Sequence, residues 1–273
     1  MKKLIKNIKI LRRIYDAYIA SKYFNNKYLK IFKWAIESNE NSNYTYKLSK
    51  KNQLELIKIF EEIFKDSTFE QIKCYLQELE NDKEIRSHIR DSINNSKLKE
   101  YADSKIEFSR RLGWYICVRL LKPKVIVETG VDKGLGSVVL IRGLMKNKEE
   151  GYAGYYYGTD INPEAGYLLN GDYNKHGEIL YGDSIETLNK MTNGIDLFIN
   201  DSDHSAEYEF KEYLAIKNKL SKTGIILGDN SHSTDKLIKF SIENNRRFIL
   251  FREEPSNHWY PGAGIGISYP GKT

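Results

Sequence analysis

The stretch KVIVETGVDKGLGS, residues 124–137, decides the fold of this chain. Its run Val125–Val127 is apolar and β-branched, which is typical of a buried parallel strand, and the strand is expected to end near Glu128. Three glycines follow, and they let the backbone turn tightly and bring its amide groups close to a ligand. Residues 137–146, SVVLIRGLMK, then predict a helix whose N-terminus faces the same ligand.

The glycine spacing distinguishes between classes of nucleotide-binding turn. A dinucleotide fingerprint requires G-x-G-x-x-G, whereas this turn reads Glu128-x-Gly130-x-x-x-Gly134-x-Gly136. An E-x-G-x-x-x-G turn resembles the first motif of class I S-adenosylmethionine-dependent methyltransferases, and an acidic residue suits a cationic cofactor. The resemblance implies that Glu128, Gly130, Gly134 and Ser137 bind S-adenosylmethionine. On the residues alone, a plain strand-to-helix connection is an equal alternative.

Length and charge restrict the possible classes of protein. The chain has 273 residues and a net charge of +6, but residues 1–33 alone carry ten basic side chains and one acid, so the remainder carries −3. This distribution argues against a nucleic-acid surface on the larger part of the chain. Cys74 and Cys117 form no metal or redox pair by spacing, which favours a reducing, cytoplasmic setting. No apolar run reaches the roughly 18 residues that a membrane span requires.

The N-terminal third reads as helical. Apolar residues recur at helical spacing between lysines and arginines in residues 1–24, which predicts a basic amphipathic helix. Such a helix either contacts an anionic membrane surface or packs its apolar face on the rest of the protein. We expect a helical region over 1–105, serving as a substrate lid, an oligomer contact or a membrane contact, and a cofactor-binding domain over 106–273.

Strand and helix patterns alternate after the glycine turn. Strands are predicted at 125–129, 155–161, 178–182, 195–200, 224–229, 247–252 and 264–269, with helices at 137–146, 184–192, 205–220 and 234–245. The alternation predicts an α/β fold: a Rossmann-like, seven-stranded, mostly parallel sheet with helices on both faces, plus the helical N-terminal region. In such a sheet the ligand lies beyond the carboxyl ends of the strands.

Acidic residues stand at those strand ends. Asp160 follows the second strand, where a carboxylate can accept hydrogen bonds from ribose hydroxyls. Asp183 follows the third strand, where class I methyltransferases place a polar group beside the adenine ring, although Gly-Asp-Ser is also a good helix N-cap. Both roles are compatible at one position.

The fourth and fifth predicted strands end in the richest polar segments, NDSDH at 200–204 and GDNSH at 228–232. Asp201, Asp229 and Asn230 together offer an all-oxygen set suited to Mg²⁺ or another hard divalent cation. Asp201 is also expected to contact the cofactor. Separate capping and loop roles are the alternative for each aspartate.

These segments sharpen the resemblance. The pattern Asp196-x-x-x-x-Asp201, followed by a helix and Asp229-Asn230, is similar to the metal site of the Mg²⁺-dependent, catechol O-methyltransferase-like enzymes. The phrase D-x-D-H-S at 201–205 is similar to macrolide-sugar and other small-molecule O-methyltransferases. The resemblance covers about 110–269 and implies methyl transfer to a hydroxyl of a small molecule or saccharide precursor, with the metal binding that oxygen. Where the catechol enzymes have a lysine, this chain has His204.

His204 is the first candidate for the general base, because histidine accepts a proton near neutral pH. Asp203 and His232 are the alternatives. The segment 258–264, HWYPGAG, either closes over the substrate or forms a packing turn. Homo-oligomerisation through the helical additions is a further possibility.

Three other functions compete with this interpretation. The first is a non-catalytic, nucleotide-binding Rossmann-like protein that the basic helix tethers to a membrane or partner. The second is an NAD-dependent oxidoreductase, which the missing G-x-G-x-x-G disfavours. The third is a nucleic-acid methyltransferase, which the charge distribution disfavours.

Overall fold

The computed structural model describes residues 46–97, 99, 106–192, 194–229, 231–258 and 260–271, together with eleven residues scattered between 14 and 36. The predicted basic helix over 1–24 therefore lies largely outside the described residues. The few that are described there, such as Tyr15 and Tyr18, are helical and exposed. No described helix is both long and apolar enough to cross a membrane.

Nine strands lie in the described part of the chain: β1 (Lys47–Leu48), β2 (Val125–Thr129), β3 (Tyr155–Asp160), β4 (Gly177–Tyr181), β5 (Ile195–Asn200), β6 (Leu220–Gly228), β7 (Arg246–Arg252), β8 (Pro255–Ser256) and β9 (Gly264–Pro270). Seven of them form one sheet of order β4-β3-β2-β5-β6-β9-β7, in which β9 alone runs in the opposite direction to the other six. The predicted seven-stranded, mostly parallel sheet is confirmed.

The helices of the same described ranges are α1 (Lys50–Ile63), α2 (Phe69–Asn81), α3 (Lys83–Asn94), α4 (Arg111–Leu121), α5 (Leu135–Glu149), α6 (Ser184–Lys190), α7 (Ala206–Ile216) and α8 (Lys236–Glu243). The predicted strands agree with the sheet to within one residue at nearly every end. The exception is β6, which begins four residues before the predicted start because Leu220 already pairs with Ile195 ahead of a register shift.

The strand β2 lies in the interior of the sheet, between β3 and β5. Ile126 and Val127 are fully buried, as the continuous apolar run predicts. The carboxylate of Asp196 accepts hydrogen bonds from the backbone N–H groups of Lys124 and Val125, at the amino end of β2. Asp196 therefore fixes the start of β2, at the opposite edge of the sheet from Asp201.

The N-terminal helices share a core with the sheet. Leu56, Phe60 and Ile72 are buried in the same apolar cluster as the helices α4 and α5. A buried ion pair between Arg142 Nε and Asp82 Oδ2, 2.6 Å apart, joins α5 to the α2–α3 junction. The division of the chain at 105/106 stays a prediction, and residues 100–105 lie outside the described part.

Candidate functional site

Two neighbouring cavities lie at the carboxyl edge of the sheet. The first, about 460 Å³, is called the carboxylate cavity here because Asp160, Asp183 and Asp203 line it. The second, about 370 Å³, is called the arginine cavity because Arg110 and Arg111 line it. Three residues line both cavities: Gly130, Asp132 and Asp201. The two spaces therefore meet at the glycine turn after β2.

The turn requires glycine where the cavities meet. Gly130 has φ +82°, and a Cβ there would lie 2.0 Å from the carbonyl oxygen of Asp201. No side chain fits without moving the backbone that follows β5. Gly134, with φ +93°, stands directly before α5 and completes the turn. The predicted strand, glycine turn and helix are thus present.

Glu128 lies buried beneath this turn and also lines the arginine cavity. Its carboxylate accepts hydrogen bonds from Tyr156 Oη and from Ser137 Oγ, the latter at 2.9 Å. Burial raises the pKa of Glu128 to about 7, although both hydroxyl donors act to lower it. Ser137 is fully buried and lines neither cavity, so its hydroxyl positions Glu128 and Tyr156.

Asp160 holds the glycine turn from the next strand. Its Oδ2 accepts the backbone N–H groups of Val131 at 3.0 Å and Asp132 at 2.9 Å, while Oδ1 accepts that of Asn162 at 2.8 Å. A carboxylate oxygen can accept more than one hydrogen bond. Asp160 can therefore position the turn and still present an acceptor to the carboxylate cavity.

Asp183 is the N-cap of α6 and a wall of the carboxylate cavity. It accepts the backbone N–H of Glu186 at 2.9 Å and the hydroxyl of Tyr208 at 2.9 Å. The cap hydrogen bond lowers the pKa of Asp183. Asp203, in contrast, is exposed and accepts the backbone N–H of Ser205, on the carboxylate side of the site.

A buried ion pair dominates the arginine cavity. Arg110, one residue before α4, grips Asp229 at the end of β6 with two parallel hydrogen bonds, of which Nη2 to Oδ2 measures 2.6 Å. The two side chains are only 6% and 2% exposed. Burial acts to raise the pKa of Asp229, but the charge and hydrogen bonds of Arg110 outweigh it and hold that pKa below its ordinary value.

Asp201 completes this cluster. Burial and the adjacent Asp229 carboxylate raise the pKa of Asp201 well above its ordinary value, and the two carboxyl groups share a hydrogen bond. Such a bond requires one proton, which the two carboxyl groups share. Asp201, Asp229 and Arg110 therefore form one electrostatically coupled cluster.

These contacts do not fit the predicted metal site. Both oxygens of Asp229 already bind the Arg110 guanidinium, and Asn230 lies outside the described residues. No group of three acidic, histidine or cysteine side chains suited to a metal ion exists in the described ranges. The sequence predicted that Asp201 and Asp229 lie close together, and they do. It did not reveal the cation that binds Asp229, the guanidinium of Arg110.

Arg111 was also missed. It is 9% exposed, lines the arginine cavity, and places its guanidinium carbon 5.5 Å from the centre of the Trp114 ring. Its Nε and Nη1 atoms have no hydrogen-bond partner among the described residues. The available signal was the pair Arg110-Arg111 at the start of a mostly apolar helix that comes before the first strand of the sheet.

The two candidate histidines occupy different positions. His204 is exposed and lines the arginine cavity together with Arg110 and Asp201. His232 lines neither cavity, its Nε2 lies 3.1 Å from Ser233 Oγ, and partial burial lowers its pKa. The structure therefore brings His204, and not His232, to the cavity wall.

None of the described residues of the segment 258–264 lines either cavity. The rings of His258 and Tyr260 lie 5.2 and 5.5 Å from that of Tyr46. This contact matches the packing turn that the sequence left open as an alternative. Trp259 lies outside the described residues.

Comparison with known proteins agrees with this geometry. Residues 127–231 match the model of a methyltransferase domain family. No curated protein matches the chain in sequence. A solved O-methyltransferase from Bacillus cereus, in complex with S-adenosylhomocysteine, is similar with a TM-score of 0.50, 12% identity, and coverage of 68% of this chain and 91% of that one. For the methyltransferase PaMTH1 from Podospora anserina the values are 0.49, 17%, 74% and 95%.

The family match begins in β2 and ends just after β6, so it contains the glycine turn and the polar strand ends described above. The likeness to the Bacillus cereus structure concerns the fold. This likeness confirms the predicted class I methyltransferase fold. The family match confirms the predicted class of enzyme, because residues 127–231 match a methyltransferase domain.

Proposed function

We propose that this methyltransferase uses S-adenosylmethionine to methylate a hydroxyl group of a small molecule or saccharide precursor. The observation that carries the proposal is the continuity of the two cavities at Gly130 and Asp201. An elongated ligand can lie across the strand ends with one part in each cavity. The S-adenosylhomocysteine in the Bacillus cereus structure supports the same class of cofactor.

The carboxylate cavity fits the adenosine part of such a cofactor. Asp160 and Asp183 offer acceptors for ribose hydroxyls and for the exocyclic amine of adenine. Thr159 adds a buried Oγ1 with no hydrogen-bond partner among the described residues. Asp201, which lines both cavities, and Glu128, which lines the arginine cavity, lie beside the place for the methionine part.

The arginine cavity then receives the acceptor. When bound, S-adenosylmethionine supplies an electrophilic methyl group, and an acceptor oxygen lone pair forms the new C–O bond as the C–S bond breaks towards sulfur. His204 lies at the wall of this cavity, so we assign it the role of accepting the hydroxyl proton. Asp203 remains a weaker candidate because it lines the carboxylate cavity.

The metal enters no step of this proposal. The described side chains do not fit a Mg²⁺ ion, because Arg110 already occupies both oxygens of Asp229. The sequence-based prediction of Mg²⁺ dependence therefore has no support from the geometry of the site.

A hydroxyl-rich acceptor suits the surroundings of the arginine cavity. Tyr167 lies between this cavity and a polar groove of about 650 Å³. The groove is lined by hydroxyl, amide, imidazole and charged side chains, including those of His88, Ser92, Asn95 and Asn170. Side chains of this kind hydrogen-bond to sugar hydroxyls, and this favours a saccharide over a purely aromatic acceptor.

Calorimetric titration tests the cofactor. We expect the wild-type protein to bind S-adenosylmethionine and S-adenosylhomocysteine but not NAD. Gly130→Ala should abolish binding, because its Cβ would displace the backbone of Asp201. Gly151→Ala is the matched control, since Gly151 also has positive φ but no atom lies within 4 Å of its added Cβ. Wild-type binding of NAD alone would replace the proposal with the oxidoreductase alternative.

Methyl transfer is tested with a methyl-labelled cofactor and a panel of sugars and phenols. We expect label in a sugar, and we expect His204→Asn to lower kcat by roughly 10²–10⁴-fold, the usual contribution of a general base. His232→Asn should leave kcat nearly unchanged because His232 lines neither cavity.

A further inference from the structure

We propose that the guanidinium of Arg110 takes the place of a divalent metal ion in this site, so that methyl transfer by this chain is metal-independent. The inference rests on the proposed function, since it concerns the same arginine cavity. The starting observation is that Asp201 and Asp229, the acidic residues predicted to bind a metal ion, have the guanidinium of Arg110 beside them instead.

Three carboxyl groups surround Arg110. Asp229 receives two parallel hydrogen bonds from it, and Asp201 shares a hydrogen bond with Asp229. Glu253 Oε1 lies 3.9 Å from Arg110 Nη1, and the same Glu253 accepts a hydrogen bond from Tyr46. One fixed positive charge thus holds together acids from three separate strand ends.

This arrangement disfavours a second cation on Asp229. The two parallel N–H···O bonds take one in-plane lone pair on each oxygen of Asp229, the positions that a metal ion bound by both oxygens would use. A divalent ion in the same position would also repel the buried guanidinium at short range, where screening by water is weak. Metal binding would require Arg110 to leave a site in which it is 6% exposed.

The guanidinium can supply the electrostatic part of a metal's role. Arg110 lines the same cavity as His204 and Asp201, so its permanent positive charge lies beside the acceptor. It stabilises negative charge on the acceptor oxygen while His204 accepts the proton. Because Arg110 is held from both sides, no reorganisation is needed during methyl transfer.

Metal uptake can be measured without knowing the acceptor. Chelator-treated wild-type protein is titrated with Mn²⁺ by electron paramagnetic resonance, with and without saturating S-adenosylhomocysteine. We expect no uptake under either condition and no rise in Tm with millimolar Mg²⁺. Stoichiometric uptake by the wild type that is lost in Asp229→Asn would overturn the proposal.

Arg110→Met supplies the complementary variant, because it removes the cation and keeps an apolar chain of similar length. We expect this variant to gain Mn²⁺ binding and a Tm that rises with Mg²⁺, since an ion that binds only the folded state stabilises it. Arg90→Met, at an exposed arginine, is the matched control and should show neither effect. If Arg110→Met folds and gains no Mn²⁺ binding, Arg110 does not replace a metal.

The wild-type titration decides the question even if Arg110→Met fails to fold. Binding of S-adenosylhomocysteine in the same samples reports on the proposed function, whereas Mn²⁺ uptake reports on Arg110. The two proposals therefore fail separately.

Discussion

The two cavities satisfy their acidic side chains in different ways. In the carboxylate cavity, Asp160, Asp183 and Asp203 each accept backbone N–H groups and remain partly or fully exposed. On the side of the arginine cavity, Glu128 in its wall and Asp229, the partner of the wall residue Arg110, are buried and depend on side chains from distant parts of the chain. The first half of the site is thus built into the turns that follow the strands, whereas the second half exists only when the whole domain is folded.

This contrast predicts that single substitutions are most damaging in the arginine cavity. Arg110→Met leaves Asp229 as a buried, uncompensated charge, and breaking a buried ion pair in this way costs about 3–5 kcal/mol. We expect the free energy of unfolding to fall by that amount in urea denaturation without added metal. Arg90→Met should change it little, because Arg90 is exposed. A loss below about 1 kcal/mol, the range of surface pairs, would remove the distinction between the cavities.

Glu128 allows the contrast to be tested by pH. Burial raises its pKa to about 7 in the folded protein, from an ordinary value of 4.5. Between these values the folded state binds more protons than the unfolded state, so stability falls as pH rises from about 4.5 to 7 and then levels off. Glu128→Gln should remove up to about 3 kcal/mol of this decrease, at 1.36 kcal/mol per pKa unit.

The measurement is urea denaturation of wild type and Glu128→Gln across that pH range. Glu186→Gln is the control in the carboxylate half, because its side chain is largely exposed. Its pH profile should follow that of the wild type. Parallel pH profiles of stability for Glu128→Gln and the wild type would show that burial does not raise the pKa of Glu128.

Tyr46 tests whether the buried acids depend on long-range partners. It donates a hydrogen bond to Glu253 across 207 residues of sequence, and both side chains are buried. Hydrogen bonds to charged groups contribute about 1.5–3 kcal/mol, so Tyr46→Phe should lower the free energy of unfolding by that amount. Tyr152→Phe, at a half-exposed tyrosine, should be nearly neutral. Equal effects of the two changes would mean that the Tyr46 contact adds nothing to stability.

The same contrast explains which parts of the structure the sequence could predict. β-branched runs and glycines act locally, so the strands and the turn at Gly130 were predictable. So was the capping role of Asp183, because its partner lies three residues away. The residues of the ion pair, Arg110 and Asp229, are 119 positions apart in the sequence, and no local sequence pattern predicts their contact. The metal site was therefore predicted from Asp201 and Asp229 alone, because their cationic partner Arg110 lies far from them in the sequence.

The smallest expected effect separates the two roles of Asp183 in the carboxylate cavity. Asp183→Ala removes the N-cap of α6, which costs about 1 kcal/mol of stability. Asp183→Asn keeps a good cap while removing the charge, so its free energy of unfolding should stay close to that of the wild type. If Asp183 also receives the adenine amine, both variants should weaken S-adenosylhomocysteine binding in calorimetry, because the carboxylate acceptor is lost in each. Wild-type affinity in Asp183→Asn would leave Asp183 as a cap alone, and recognition of adenine would then pass to the neighbouring backbone.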